Sequence, residues 1–155
     1  MKRLRSAILG GLVASLAMDL VQGGFAQVFE RDRAPGEKDE EVEAIAGVVR
    51  LLRGFAPSLF PQARSETAGH VLHYLFGGAF GLAYAFVRER DARVSSAYGL
   101  VFGTGLWLLS DRILIPSTKL GRPWGRYSLA ERTNALASHL AFGAALEAVL
   151  RRTAA

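Results

Sequence analysis

Six titratable side chains stand inside segments that are otherwise apolar: Asp19, His70, His73, Asp111, His139 and Glu147. An ionised group at bilayer depth is costly, so such residues turn toward the interior of a helix bundle and mark a buried polar contact or a path for protons or ions. Imidazole titrates near neutrality, so the histidines set against Asp19 have the makings of a proton- or ion-responsive site. Histidines on two facing helices are also the pattern of axial haem ligation. The plainest chemistry is interhelical hydrogen bonding that fixes helix register. Glu147 and Arg151 stand apart from this set, as an i,i+4 pair solvated at the membrane edge. The chain has no cysteine, which removes disulfides, thiolate metal sites and a cysteine nucleophile. No metal site and no cofactor are expected, because His70 and His73 come with no confirming ligand motif.

These residues need membrane helices to hold them. Half of the 155 residues are hydrophobic although 19 are basic and 14 acidic, so the charges must be segregated. Segments 6–18, 67–87, 94–110 and 133–146 contain no Asp, Glu, Lys or Arg. A spanning helix needs roughly 20 mostly apolar residues. The expected fold class is therefore all-α, an integral membrane four-helix bundle forming one domain over 1–155. Its spans are placed at about 6–28, 67–87, 94–115 and 132–150, with a tight turn at 88–93 that makes spans two and three a helical hairpin. The start Met1-Lys2-Arg3-Leu4-Arg5 with Ser15-Leu16-Ala17 also fits a cleavable signal peptide. The apolar stretch continues to Phe29, so a retained first span is expected.

Between spans one and two, Val42, Ile45, Ala46, Val49 and Leu52 recur at helical spacing. Acidic residues open this segment, Arg50 and Arg53 close it and Gly54 stops it, which predicts an extra amphipathic helix over 39–54 lying on the bundle or the interface. With the N-terminus inside, eight of the 19 basic residues are cytoplasmic and eleven lie in the two excursions or at the outer ends of the spans beside them. The eight are packed into very short segments against the helix ends, where the positive-inside bias acts most strongly, so both termini are assigned to the cytoplasm.

Small residues share helix faces with the polar ones. Gly11, Ser15, Asp19 and Gly23 fall on one face, His73, Gly77, Gly81 and Tyr84 or Ala85 on a second, Gly99, Gly103, Trp107 and Asp111 on a third, and Ala135, His139, Gly143 and Glu147 on a fourth. Such rows let membrane helices approach closely. Asp19, His73 and His139 are therefore expected to face a common interior in the outer half of the bundle, with Asp111 closing its outer end.

The order of features resembles a known family. A Gly-rich first span and a charged, proline-bearing excursion lead to a His-opened second span ending Ala83-Tyr84-Ala85-Phe86-Val87-Arg88-Glu89-Arg90. Pro116 and Pro123-Trp124 then lead to Glu131 and a last span reading His139-Leu140-x-Phe142-x(4)-Glu147-x-x-x-Arg151-Arg152. Over most of its length the chain is similar to the YagU-like family of small bacterial inner-membrane proteins. The resemblance implies four spans with cytoplasmic termini, points to His139 and Glu147, and carries no reaction.

No phosphate-binding loop, zinc-protease helix or nucleophile elbow occurs, so an enzyme is not expected. The basic residues flank apolar runs rather than forming a patch, so nucleic acid is not an expected partner. The expected partners are the lipid bilayer and, beyond it, a second copy or other membrane proteins. A non-enzymatic accessory or interaction module of the inner membrane leads. A small proton- or ion-linked permease using Asp19, His73 and His139 is the alternative, and a haem-binding electron-transfer protein the third.

Overall fold

The computed structural model describes residues 2–29, 48, 54, 65–118 and 124–154, and all regular structure among them is helical. Helix α1 is Lys2–Phe29 and α2 is Ser65–Arg90. Helix α3 runs without a break through Leu100–Trp107, a π-helical segment Leu108–Leu114 and Ile115–Thr118, and α4 is Leu129–Ala154. Of the expected amphipathic helix at 39–54, only Val48 and Gly54, both helical, lie within the described residues.

The helices pack in the order α2, α1, α4, α3, each antiparallel to its neighbour. Glycine sets how close they come. A methyl group on Gly11 would overlap the Gly77 carbonyl, and one on Gly81 the Ala7 carbonyl, so α1 and α2 cross backbone to backbone. The pair Gly103 and Gly143 does the same for α3 and α4. The core between them consists of Ala7, Ala14, Met18, Tyr84, Leu106, Phe142, Leu146 and Leu150. Spans two and three are consecutive but do not pack as the expected hairpin. They meet where the Tyr84 and Phe102 rings lie 4.6 Å apart, and their long contacts are made with α1 and α4.

Three segments, Lys2–Val28, Gly69–Arg90 and Ala92–Ser117, are long and apolar enough to cross a membrane. Helix α4 has 26 residues but is less apolar. It buries Asn134, Ser138, His139 and Glu147 between its neighbours, so much of its surface faces protein rather than the surroundings. By contrast Leu20, Leu75, Phe86 and Ile113 are all more than half exposed on the other three helices.

Helix α3 starts later than the expected span at 94. Asp91 caps a short 3-10 turn by accepting a 2.9 Å hydrogen bond from the Arg93 backbone N–H. The chain then passes through three left-handed residues, Ala97 (φ 50°), Tyr98 (φ 59°) and Gly99 (φ 84°), before α3 begins at Leu100. Left-handed alanine and tyrosine each cost about 1–2 kcal/mol. The turn sets Gly99 against the Gly143 carbonyl, where any side chain would overlap. At the other end of α3, Pro116 has no N–H to give to residue 112 and its ring crowds that carbonyl. The helix widens just before it, and the Ile115 N–H reaches the carbonyl of Ser110, five residues back. Helix α4 opens with a capping box, in which the Ser128 N–H donates to Glu131 Oε2 at 2.6 Å and the Glu131 N–H to Ser128 Oγ at 3.2 Å.

Candidate functional site

The polar residues gather in three groups. Between α1 and α2, Tyr74 donates a 2.7 Å hydrogen bond to Asp19 Oδ2, and His73 Nε2 lies 3.1 Å from Asp19 Oδ1. Two adjacent residues of one helix thus straddle a single carboxylate, as their separation of about 100° allows. The His73 side chain is one-tenth exposed and that of Asp19 about a third. His70, one turn earlier on α2, is exposed and makes no polar contact among the described residues.

Between α3 and α4, Ser110 Oγ contacts both Asp111 Oδ1 and, at 3.2 Å, His139 Nε2, while Asp111 and His139 themselves are 3.9 Å apart. His139 Nδ1 is 2.8 Å from the Ala135 carbonyl, which can only accept, so that nitrogen carries a proton. Two arrangements then leave the buried group without net charge. In one, an imidazolium donates to Ser110, which donates to the Asp111 carboxylate. In the other, a protonated Asp111 donates to Ser110, which donates to neutral His139. A proton passed along the hydroxyl interconverts them. The π-helical segment brings Asp111 into this position, because the added residue per turn rotates its side chain inward to 4% exposure.

These three residue types invite a comparison with a hydrolytic triad, and the wiring is wrong for one. An orienting carboxylate must bind the far nitrogen of the histidine, leaving the near one to take the serine proton. Here Asp111 binds the serine and a carbonyl binds the far nitrogen. Iron ligation fits no better: both ring nitrogens of His139 are engaged by protein oxygens, and His73 Nε2 faces Asp19. Among the described residues no three His, Asp or Glu side chains gather as a metal site requires.

The third group lies at the opposite end. Glu147 is fully buried and receives hydrogen bonds from Tyr84 at 2.6 Å, Arg88 at 3.2 Å and Arg151 at 2.6 Å. The solvated i,i+4 pair expected from the sequence is therefore corrected: Arg151 is half exposed, but its partner is a buried acceptor shared by α2 and α4. The reason is Gly99 and Gly143, whose close contact brings the left-handed turn down over Glu147 and excludes water from it. The Arg151 guanidinium also lies 4.7 Å from the centroid of the exposed Tyr98 ring. Its hydrogen bond to Glu147 raises its pKa further above the usual arginine value.

Asp19 and His73 are thus in contact, as are Asp111 and His139, but the two pairs occupy different helix interfaces rather than one polar cavity. Their levels agree. Counting from Arg5, Arg88, Leu100 and Arg151, all four residues lie about 17–23 Å from the basic end at 1.5 Å per residue. Sequence reasoning missed Tyr74, Tyr84, Arg88 and Ser110 as partners. Tyr84 and Arg88 do carry a signal, standing four apart on α2 at the level of Glu147. Ser15 and Ser138 are both fully buried; Ser138 donates to Asn134 and Ser15 Oγ abuts Gly77.

No protein-family model matches the chain, and neither a curated protein nor a solved structure is found to be similar to it.

Proposed function

We propose that the chain is a four-span protein of the bacterial inner membrane with both termini in the cytoplasm, acting as a non-enzymatic accessory or interaction module. One observation carries the non-conducting part of this reading. The level of Asp19, His73, Asp111 and His139 is separated from the Glu147 network by about 12 Å along α4. On α4 that interval carries Phe142, Gly143 and Leu146, all buried. A proton or ion path would need a chain of polar groups or water across it, whereas the Asp19, Asp111 and Glu147 carboxylates are each held by their own neighbours. The length and packing of α4 support its being the fourth span, since it lies antiparallel against α1 and α3, which are apolar enough to cross. The resemblance to the YagU-like family supports the same placement.

The second reading, a small proton-linked permease, draws on the Ser110 relay, where two net-neutral proton arrangements share one geometry. Proteoliposomes loaded with a pH-sensitive dye separate the two: the module leaks no more protons than empty vesicles, and the permease does.

A further inference from the structure

Among the described residues, basic side chains gather at one end: Lys2, Arg3, Arg5, Arg88, Arg90, Arg93, Arg151 and Arg152 stand there with Glu89, Asp91 and Glu147, an excess of five positive charges. Most of these cations already have a contact: Arg3 with Glu89, Arg88 and Arg151 with Glu147, Arg93 with Asp91, and Arg90 over the Phe86 ring. Arg152 is exposed and makes no such contact among the described residues, and the same holds for Lys2 and Arg5. They are three apart on α1, and the same face continues with Leu9, Val13, Leu16 and Leu20, which are 58%, 46%, 50% and 69% exposed. At 100° per residue these six positions fall within an arc of about 80°.

We infer that this stripe of α1 binds an anionic phospholipid, its phosphate held by Lys2 and Arg5 and an acyl chain laid along Leu9, Val13, Leu16 and Leu20. The inference rests on the membrane reading above. Two free cations heading an uninterrupted apolar ladder match the two halves of such a lipid, and a zwitterionic headgroup would bring its own cation against Lys2 and Arg5. Each cation near an anionic headgroup contributes about 1 kcal/mol, on the order of fivefold in association at low salt.

The test is electron spin resonance of the full chain reconstituted in phosphatidylcholine vesicles carrying a trace of spin-labelled phosphatidylglycerol or spin-labelled phosphatidylcholine. The motionally restricted fraction should be severalfold larger for phosphatidylglycerol, and this preference should fall when the salt is raised. The double variant Lys2→Gln, Arg5→Gln should lose most of it, while Arg126→Gln, beyond the other end of α3, should not. Equal restriction of both labels, or a preference that survives the double variant, would overturn the site. So would a second copy covering the stripe, seen as a disulfide-linked dimer of the Val13→Cys variant with no preference between the lipids. A chain that fails to enter vesicles at all contradicts the membrane reading instead.

Discussion

The Tyr84 hydroxyl donates a 2.6 Å hydrogen bond to Glu147, joining α2 to α4 across 63 positions of sequence at a carboxylate with no exposed surface. Removing one side of such a contact strands the other. Tyr84→Phe leaves Glu147 two arginines and should cost about 1–2 kcal/mol. Glu147→Ala strands the tyrosine hydroxyl beside uncompensated cations and should cost about 3–5 kcal/mol. Thermal or denaturant unfolding in detergent measures both. Equal, small effects would mean that the network contributes little to the bundle.

Glycines in the same helix should behave in opposite ways. Gly103→Ala drives a methyl group into the His139 carbonyl and should destabilise by about 1–3 kcal/mol through forced backbone shifts. Gly105→Ala meets open space and should be neutral or stabilising by up to about 1 kcal/mol, because alanine favours the helix. Unfolding of the two variants side by side checks the helix order α2, α1, α4, α3 at its α3–α4 contact.

Ser110→Ala should cost more than Asp111→Asn. The alanine removes the hydroxyl that bridges Asp111 and His139, taking a hydrogen-bond partner from two buried polar groups at about 1–3 kcal/mol each. The asparagine can still accept from the serine. The reverse order in an unfolding series would show that Ser110 is not the bridging group.

The helices were legible in the sequence because long uncharged runs have few other solutions, and the glycine rows marked the faces that approach. Asp19 and His73 share their faces with those glycines, which put the pair within reach of reading. What could not be read was which hydroxyls complete each group. Tyr74 follows His73 in sequence and Ser110 precedes Asp111, and adjacency on a helix says nothing about convergence until the crossing angle is known. The π-helical segment depends on where Pro116 sits relative to Asp111. The left-handed turn at Ala97 and Tyr98 runs against local preference and exists because Gly99 must meet Gly143, a contact made across the fold. For the same reason Glu147 read as a solvated edge residue.

Reporter fusions at Arg90 and after Arg152 should be cytoplasmic, and one near Glu40 external. The Lys and Arg residues packed against the helix ends that carry Arg3, Arg88 and Arg151 support this orientation through the positive-inside bias. Opposite locations for the two ends would mean an odd number of spans and would remove α4 from the membrane.

Proton flux through proteoliposomes tests the central claim most directly, because that claim is that Asp19, His73, Asp111 and His139 are satisfied locally and do not form a conducting path. With a pH gradient across the membrane, the wild-type protein should pass protons no faster than protein-free vesicles, and Asp19→Asn should change nothing. A flux above that background, abolished by Asp19→Asn or by His139→Gln, would contradict it.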